Sequence, residues 1–126
     1  MSYLWVALGG ALGSMSRYAV GRVVARFAEG AFPWSTLIVN VSGSLLIGVL
    51  AALAADGRAP LSSEARAFLL VGVLGGFTTF SSFSLETLSL VRDGQWVGAA
   101  VNVLASVGLC FLAVSIGFAA ASALSR

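Results

Sequence analysis

The groups able to do chemistry in this chain are hydrogen-bonding side chains set into apolar sequence. The densest set is the run Gly75-Gly76-Phe77-Thr78-Thr79-Phe80-Ser81-Ser82-Phe83-Ser84. Two further sets recur at four-residue spacing: Thr36, Asn40 and Ser44, and then Asn102, Ser106 and Cys110. Each forms a polar stripe along one face of a helix. Hydroxyls and amides at fixed positions can replace the water around a small ion, because each supplies donors or acceptors. The same residues serve equally as packing contacts and interhelical hydrogen bonds, since small and weakly polar residues let membrane helices approach closely. Covalent or acid–base catalysis lacks its parts: the chain has no histidine, and no nucleophile has a base beside it. An enzyme is not expected.

The polar stripes have to be positioned by very apolar elements. The 126 residues are 59% hydrophobic and only 10% charged, with a mean hydropathy of +1.00. That composition belongs to an integral membrane protein rather than to a water-soluble globule. Crossing a hydrocarbon core takes about 20 helical residues, so the expected architecture is all-α, with spans over about 3–27, 35–55, 63–91 and 96–124 making one four-helix transmembrane domain. The third span is expected to break in mid-membrane over 75–79. Backbone carbonyls and amides freed there must face protein, water or an ion, because lipid offers no hydrogen-bond partner. The formal net charge of +2 and the pI of 9.3 come from scattered arginines. No basic face forms, so nucleic acid is not an expected partner. A lone cysteine, Cys110, rules out an intrachain disulfide and a thiolate metal cluster.

Particular positions along these spans carry the functional expectations. Gly9, Gly13 and Gly21 share one face of the first span and favour close packing against a neighbour. Arg17 lies deep in that span and either faces a wet vestibule or snorkels to the headgroups. Pro33 and Trp34 mark the turn into the second span, where Asn40 brings two donors and an acceptor to a place that must face protein, water or a ligand. Phe80, Phe83 and Glu86 follow one another at three-residue steps on one face. Glu86 is either a vestibule group or an interfacial carboxylate near Arg92. Arginine is divided almost evenly between the two sides that four spans would create, so the chain carries no strong instruction about its orientation. Dual insertion and an antiparallel homodimer follow, with the inverted symmetry supplied by a second copy because the chain has no internal repeat.

The whole chain resembles the Fluc (CrcB) fluoride channels. The resemblance rests on Gly9-Gly10-Ala11-Leu12-Gly13 with Arg17-Tyr18, on Thr36-Leu37-Ile38-Val39-Asn40-Val41-Ser42-Gly43, and on the 75–84 run with Glu86. It implies a dual-topology homodimer in the cell membrane that exports toxic fluoride passively from the cytoplasm. It also implies that Asn40, Phe80 and Phe83 line the pore as a polar track and phenylalanine box, and that Ser106 is the pore serine of the fourth span. Thr36, Thr79 and Ser81 are further candidate hydroxyls on the anion path, and Arg17 and Glu86 candidate vestibule groups. The backbone carbonyls of Gly75 and Thr78 would hold a structural sodium ion at the dimer centre. Asn102 and Cys110 stand where some members carry other residues.

Physical chemistry is consistent with those roles. Fluoride is small and strongly hydrated, so a path for it needs closely spaced donors, and the partly positive edges of aromatic rings can face an anion. The rival from another class is a small dual-topology multidrug exporter. A proton-coupled carrier of that kind needs a titratable carboxylate within its spans. The first span has none, and Glu86 lies close to a helix end.

Overall fold

The computed structural model describes residues 1–57, 60–124 and 126, and all regular structure among them is helical. The first helix is Ser2–Val24 and the second is Trp34–Ala55. The third span consists of two half-helices. The leading half runs without interruption through Ser63–Arg66, a π-helical Ala67–Leu74 and a final turn Gly75–Phe77; the trailing half is Phe80–Arg92. The last helix is Trp96–Leu124. Three of these units are long and apolar enough to cross a membrane, with hydropathies of 2.2 for Trp34–Ala55, 1.7 for Ser63–Arg92 and 2.3 for Trp96–Leu124. The protein is therefore a multi-pass membrane protein. The first helix is long but not among those three, since Arg17 and Arg22 interrupt its apolar sequence. It also ends at Val24, short of the expected residue 27.

Local chemistry accounts for the helix boundaries. Ser62 caps the leading half-helix by accepting from the Ala65 N–H at 3.1 Å, with Glu64 in the favourable first turn. The trailing half-helix ends at Arg92 in a tight reversal. There Gln95 N–H reaches the Leu90 carbonyl at 2.8 Å and Gly94 N–H reaches that of Val91 at 3.1 Å. Gly94 takes φ = 76°, which a side chain would oppose.

The helices pack as two pairs, each closed by glycine. The first helix lies against the leading half-helix so tightly that a Cβ on Gly13 would strike the Val73 carbonyl and come within 2.9 Å of the Phe77 nitrogen. One turn earlier, a Cβ on Gly9 would strike the Phe68 carbonyl and one on Gly72 would come within 2.8 Å of the Gly9 Cα. The second helix meets the last one in the same way, Gly48 against Val114 and Gly117 against Leu45. Backbone contact of this closeness gives dispersion attraction without a hydrophobic driving force, which lipid-embedded helices lack. Few large side chains are fully buried; Val39 and Asn102 are the largest. Leucine, valine and isoleucine instead cover the outside, as expected where the solvent is hydrocarbon.

Candidate ion site at the helix break

The break falls within the expected interval 75–79, at its trailing end. Gly75 is helical, with φ = −63° and ψ = −35°, whereas Thr78 and Thr79 are extended, with ψ of 158° and 119°. Side chains, not glycine freedom, decide the position. Thr78 still donates its N–H to the Leu74 carbonyl at 3.0 Å, and its hydroxyl donates to the same oxygen at 2.9 Å. At the next residue the second helix intervenes. The Asn40 amide spans the backbone of Thr79, donating from Nδ2 to the Thr79 carbonyl at 3.0 Å and accepting the Thr79 N–H on Oδ1 at 2.8 Å. This two-point clamp imitates a β-ladder pair and satisfies both backbone groups of the residue at the gap. The Thr79 hydroxyl then accepts the Ser82 N–H at 3.2 Å and so caps the trailing half-helix.

Among the carbonyls these substitutions release are those of Gly75 and Thr78. The Thr79 N–H that would close the helical turn onto the Gly75 carbonyl goes to Asn40, and the Ser82 N–H that would reach the Thr78 carbonyl goes to the Thr79 hydroxyl. Carbonyl oxygens are hard neutral donors of the kind that hard cations take. No cluster of carboxylate, histidine and cysteine ligands lies among the described residues.

Beside the break is a cavity of about 430 Å³. Its lining includes Asn40, Ser44, Gly75, Thr78, Phe80, Phe83, Ser106 and Cys110, and no charged side chain. Asn40, Phe80, Phe83 and Ser106 are thus brought together from three helices. Thr36, Thr79 and Ser81 lie outside that lining. Phe83 is 8% exposed and Phe80 is 77% exposed, with ring centroids 5.3 Å apart and planes at 50°. Phe83 therefore forms an inner wall while Phe80 stands at the open side of the single chain. Ser44 and Cys110 complete the polar lining. Their place in the four-residue stripes was the signal that could have nominated them.

Around the cavity, polar groups are paired in a second tier. The Thr36 hydroxyl donates to Glu86 Oε1 at 2.8 Å, tying the second helix to the trailing half-helix. The other Glu86 oxygen is buried without a partner among the described residues, as is Arg17 Nε. Behind Phe83 and Ser106 runs a row that sequence reasoning missed, because Thr87 belongs to neither stripe. Asn102, only 1% exposed, donates to the Thr87 hydroxyl at 2.9 Å, and Thr87 donates to the Phe83 carbonyl at 2.7 Å. Ser106 donates to Asn102 Oδ1 at 3.4 Å.

Comparison with known proteins gives concordant matches. The profile of the family described as CrcB-like protein, Camphor Resistance (CrcB), matches residues 4–118. A relative from Paramagnetospirillum magneticum is 51% identical over 127 positions, covering 100% of this chain and 99% of its own. One from Opitutus terrae is 53% identical, covering 98% and 94%, and one from Thermus thermophilus is 54% identical, covering 92% and 89%. All three relatives bear the name fluoride-specific ion channel FluC.

Proposed function

Because the chain belongs to the CrcB family, we propose that it is a fluoride-selective channel, not an enzyme, and that it lets cytoplasmic fluoride leave the cell down its gradient. The observation that carries this reading is the uncharged polar cavity at the helix break. An anion leaving water for a membrane interior needs donors, yet a full positive charge beside it would trap it. The cavity offers neutral donors instead. Asn40 Nδ2 carries two hydrogens and spends one on Thr79, which leaves one for the cavity it lines. The edges of Phe80 and Phe83 add weak positive potential to the cavity wall. No carboxylate lines the cavity, and a proton-coupled exporter would need one.

The working unit in this reading is an antiparallel homodimer of four-crossing chains, the first helix being the fourth crossing. Two features support it: the nearly balanced arginines, and the open side of the cavity, where Phe80 and Gly75 stand exposed in one chain. A second inverted copy over that side would close the path. Thr36, Thr79 and Ser81 extend the hydroxyl track beyond the cavity, and Arg17 and Glu86, each with a buried unpaired atom, serve at its wet end. The released carbonyls of Gly75 and Thr78 are the groups that would hold a sodium ion shared between the copies. What the chain's own residues do is present those oxygens, through Asn40 and the Thr79 hydroxyl.

The deciding experiment is fluoride efflux from liposomes containing the purified protein, followed with a fluoride electrode against a chloride control. Rapid fluoride loss with retained chloride is expected. Equal loss of both ions, or loss of neither, would overturn the reading.

A further inference from the structure

We propose that Asn102 is a positioning residue for the anion path, acting through Ser106. The inference rests on the channel reading above. Asn102 does not line the cavity, yet it is the most deeply buried polar side chain of the last helix and touches both walls of the site. Its amide nitrogen holds Thr87, which holds the Phe83 carbonyl; its amide oxygen receives the Ser106 hydroxyl. The donor bond to Thr87 fixes which end of the amide is which. Because Nδ2 must face Thr87, Oδ1 must face Ser106, one helical turn further along.

That orientation has a consequence at the cavity. With its hydrogen directed at Asn102, the Ser106 oxygen is kept at the lining. A serine left free in a helix turns its hydroxyl back onto the carbonyl four residues earlier, as Ser115 does here onto Phe111 at 2.8 Å. Asn102 supplies a competing acceptor, and the long 3.4 Å bond is weak enough for an arriving anion to take the hydrogen over. Ser106 is then a donor that an anion can recruit: its hydrogen leaves Asn102 Oδ1, while the Nδ2 bond to Thr87 holds the amide in place. The row thus couples the orientation of the pore hydroxyl to the packing of the trailing half-helix that carries Phe83.

The test is a double-mutant cycle read by fluoride efflux from liposomes. Asn102→Leu should lower flux by about fivefold, the worth of one net hydrogen bond, and should add nothing in a Ser106→Ala background. A purely structural Asn102 would lower flux by the same factor in both backgrounds, which would overturn the proposal, as would unchanged flux in Asn102→Leu. Should that variant not fold, Thr87 carries the same test. Thr87→Val removes the group that orients the amide and should lose flux only when Ser106 is present, whereas Thr87→Ser keeps the hydroxyl and should restore it. Equal flux in Thr87→Val and Thr87→Ser would overturn the proposal. A wild-type protein that passes no fluoride would overturn the channel reading and this role together; a conducting wild type with additive variants overturns this role alone.

Discussion

Replacing Asn40 by aspartate separates what that residue does for the fold from what it does for the ion. Asn40→Asp keeps the acceptor for the Thr79 N–H at 2.8 Å but replaces the donor that serves the Thr79 carbonyl at 3.0 Å. Two oxygens then face each other, and an unpaired buried carbonyl costs about 1–3 kcal/mol. That part is a loss of stability, visible as an earlier thermal unfolding transition in detergent. The second part falls on flux. A carboxylate facing the cavity repels a fluoride about 4 Å away by about 4 kcal/mol at an effective dielectric constant of about 20. At about 1.4 kcal/mol per factor of ten, fluoride efflux should drop roughly a thousandfold. Liposome efflux measures it, with size-exclusion profiles showing that the particle is intact. An intact Asn40→Asp protein passing fluoride within tenfold of wild type would refute the placement of Asn40 on the anion path.

Gly13→Ala should destabilise the protein by about 1–3 kcal/mol, because its Cβ has no room against Val73 and Phe77. Gly10→Ala, with nothing within 4 Å, should leave thermal stability unchanged or slightly raised; equal effects of the two would refute the close-packed first pair. A cysteine tag at the carboxyl terminus should react with an impermeant thiol reagent on both faces of inverted and right-side-out vesicles, and labelling from one face only would reject dual insertion. Fluoride flux should fall in sodium-free solution and recover when sodium is restored. Thr78→Ser should leave it unchanged, since only a carbonyl is involved, and full activity without sodium would refute the cation site. Gly75→Ala meets only the Leu70 carbonyl at 3.8 Å, so the single chain accommodates it. A loss of dimer on that substitution, read by crosslinking, would place the contact on the partner copy; an intact dimer would argue that Gly75 faces no partner.

The membrane class and the number of helices were legible in the sequence, because hydropathy and helix length respond to the bilayer and need no knowledge of neighbours. The polar stripes were legible as well, since a four-residue recurrence survives any packing arrangement; Asn40, Phe80, Phe83 and Ser106 emerged from stripes or from the 75–84 run and meet in one cavity. The break was legible as the interval 75–79, but which of those residues leave the helix was not. Composition points to Gly75 and Gly76 as the weak residues of the helix, but glycine only permits a break. The helix continues through them to Phe77 and opens where Asn40, 39 residues earlier, offers Thr79 a better pair of hydrogen bonds. Nor could the sequence reveal that Asn102 and Thr87 act as one unit, as their meeting depends on how the last helix docks against the trailing half-helix. Periodicity within one helix is a local property of the chain. Which polar group satisfies which is decided only when two helices meet, because in a medium without water every buried donor takes the acceptor that tertiary packing brings within reach.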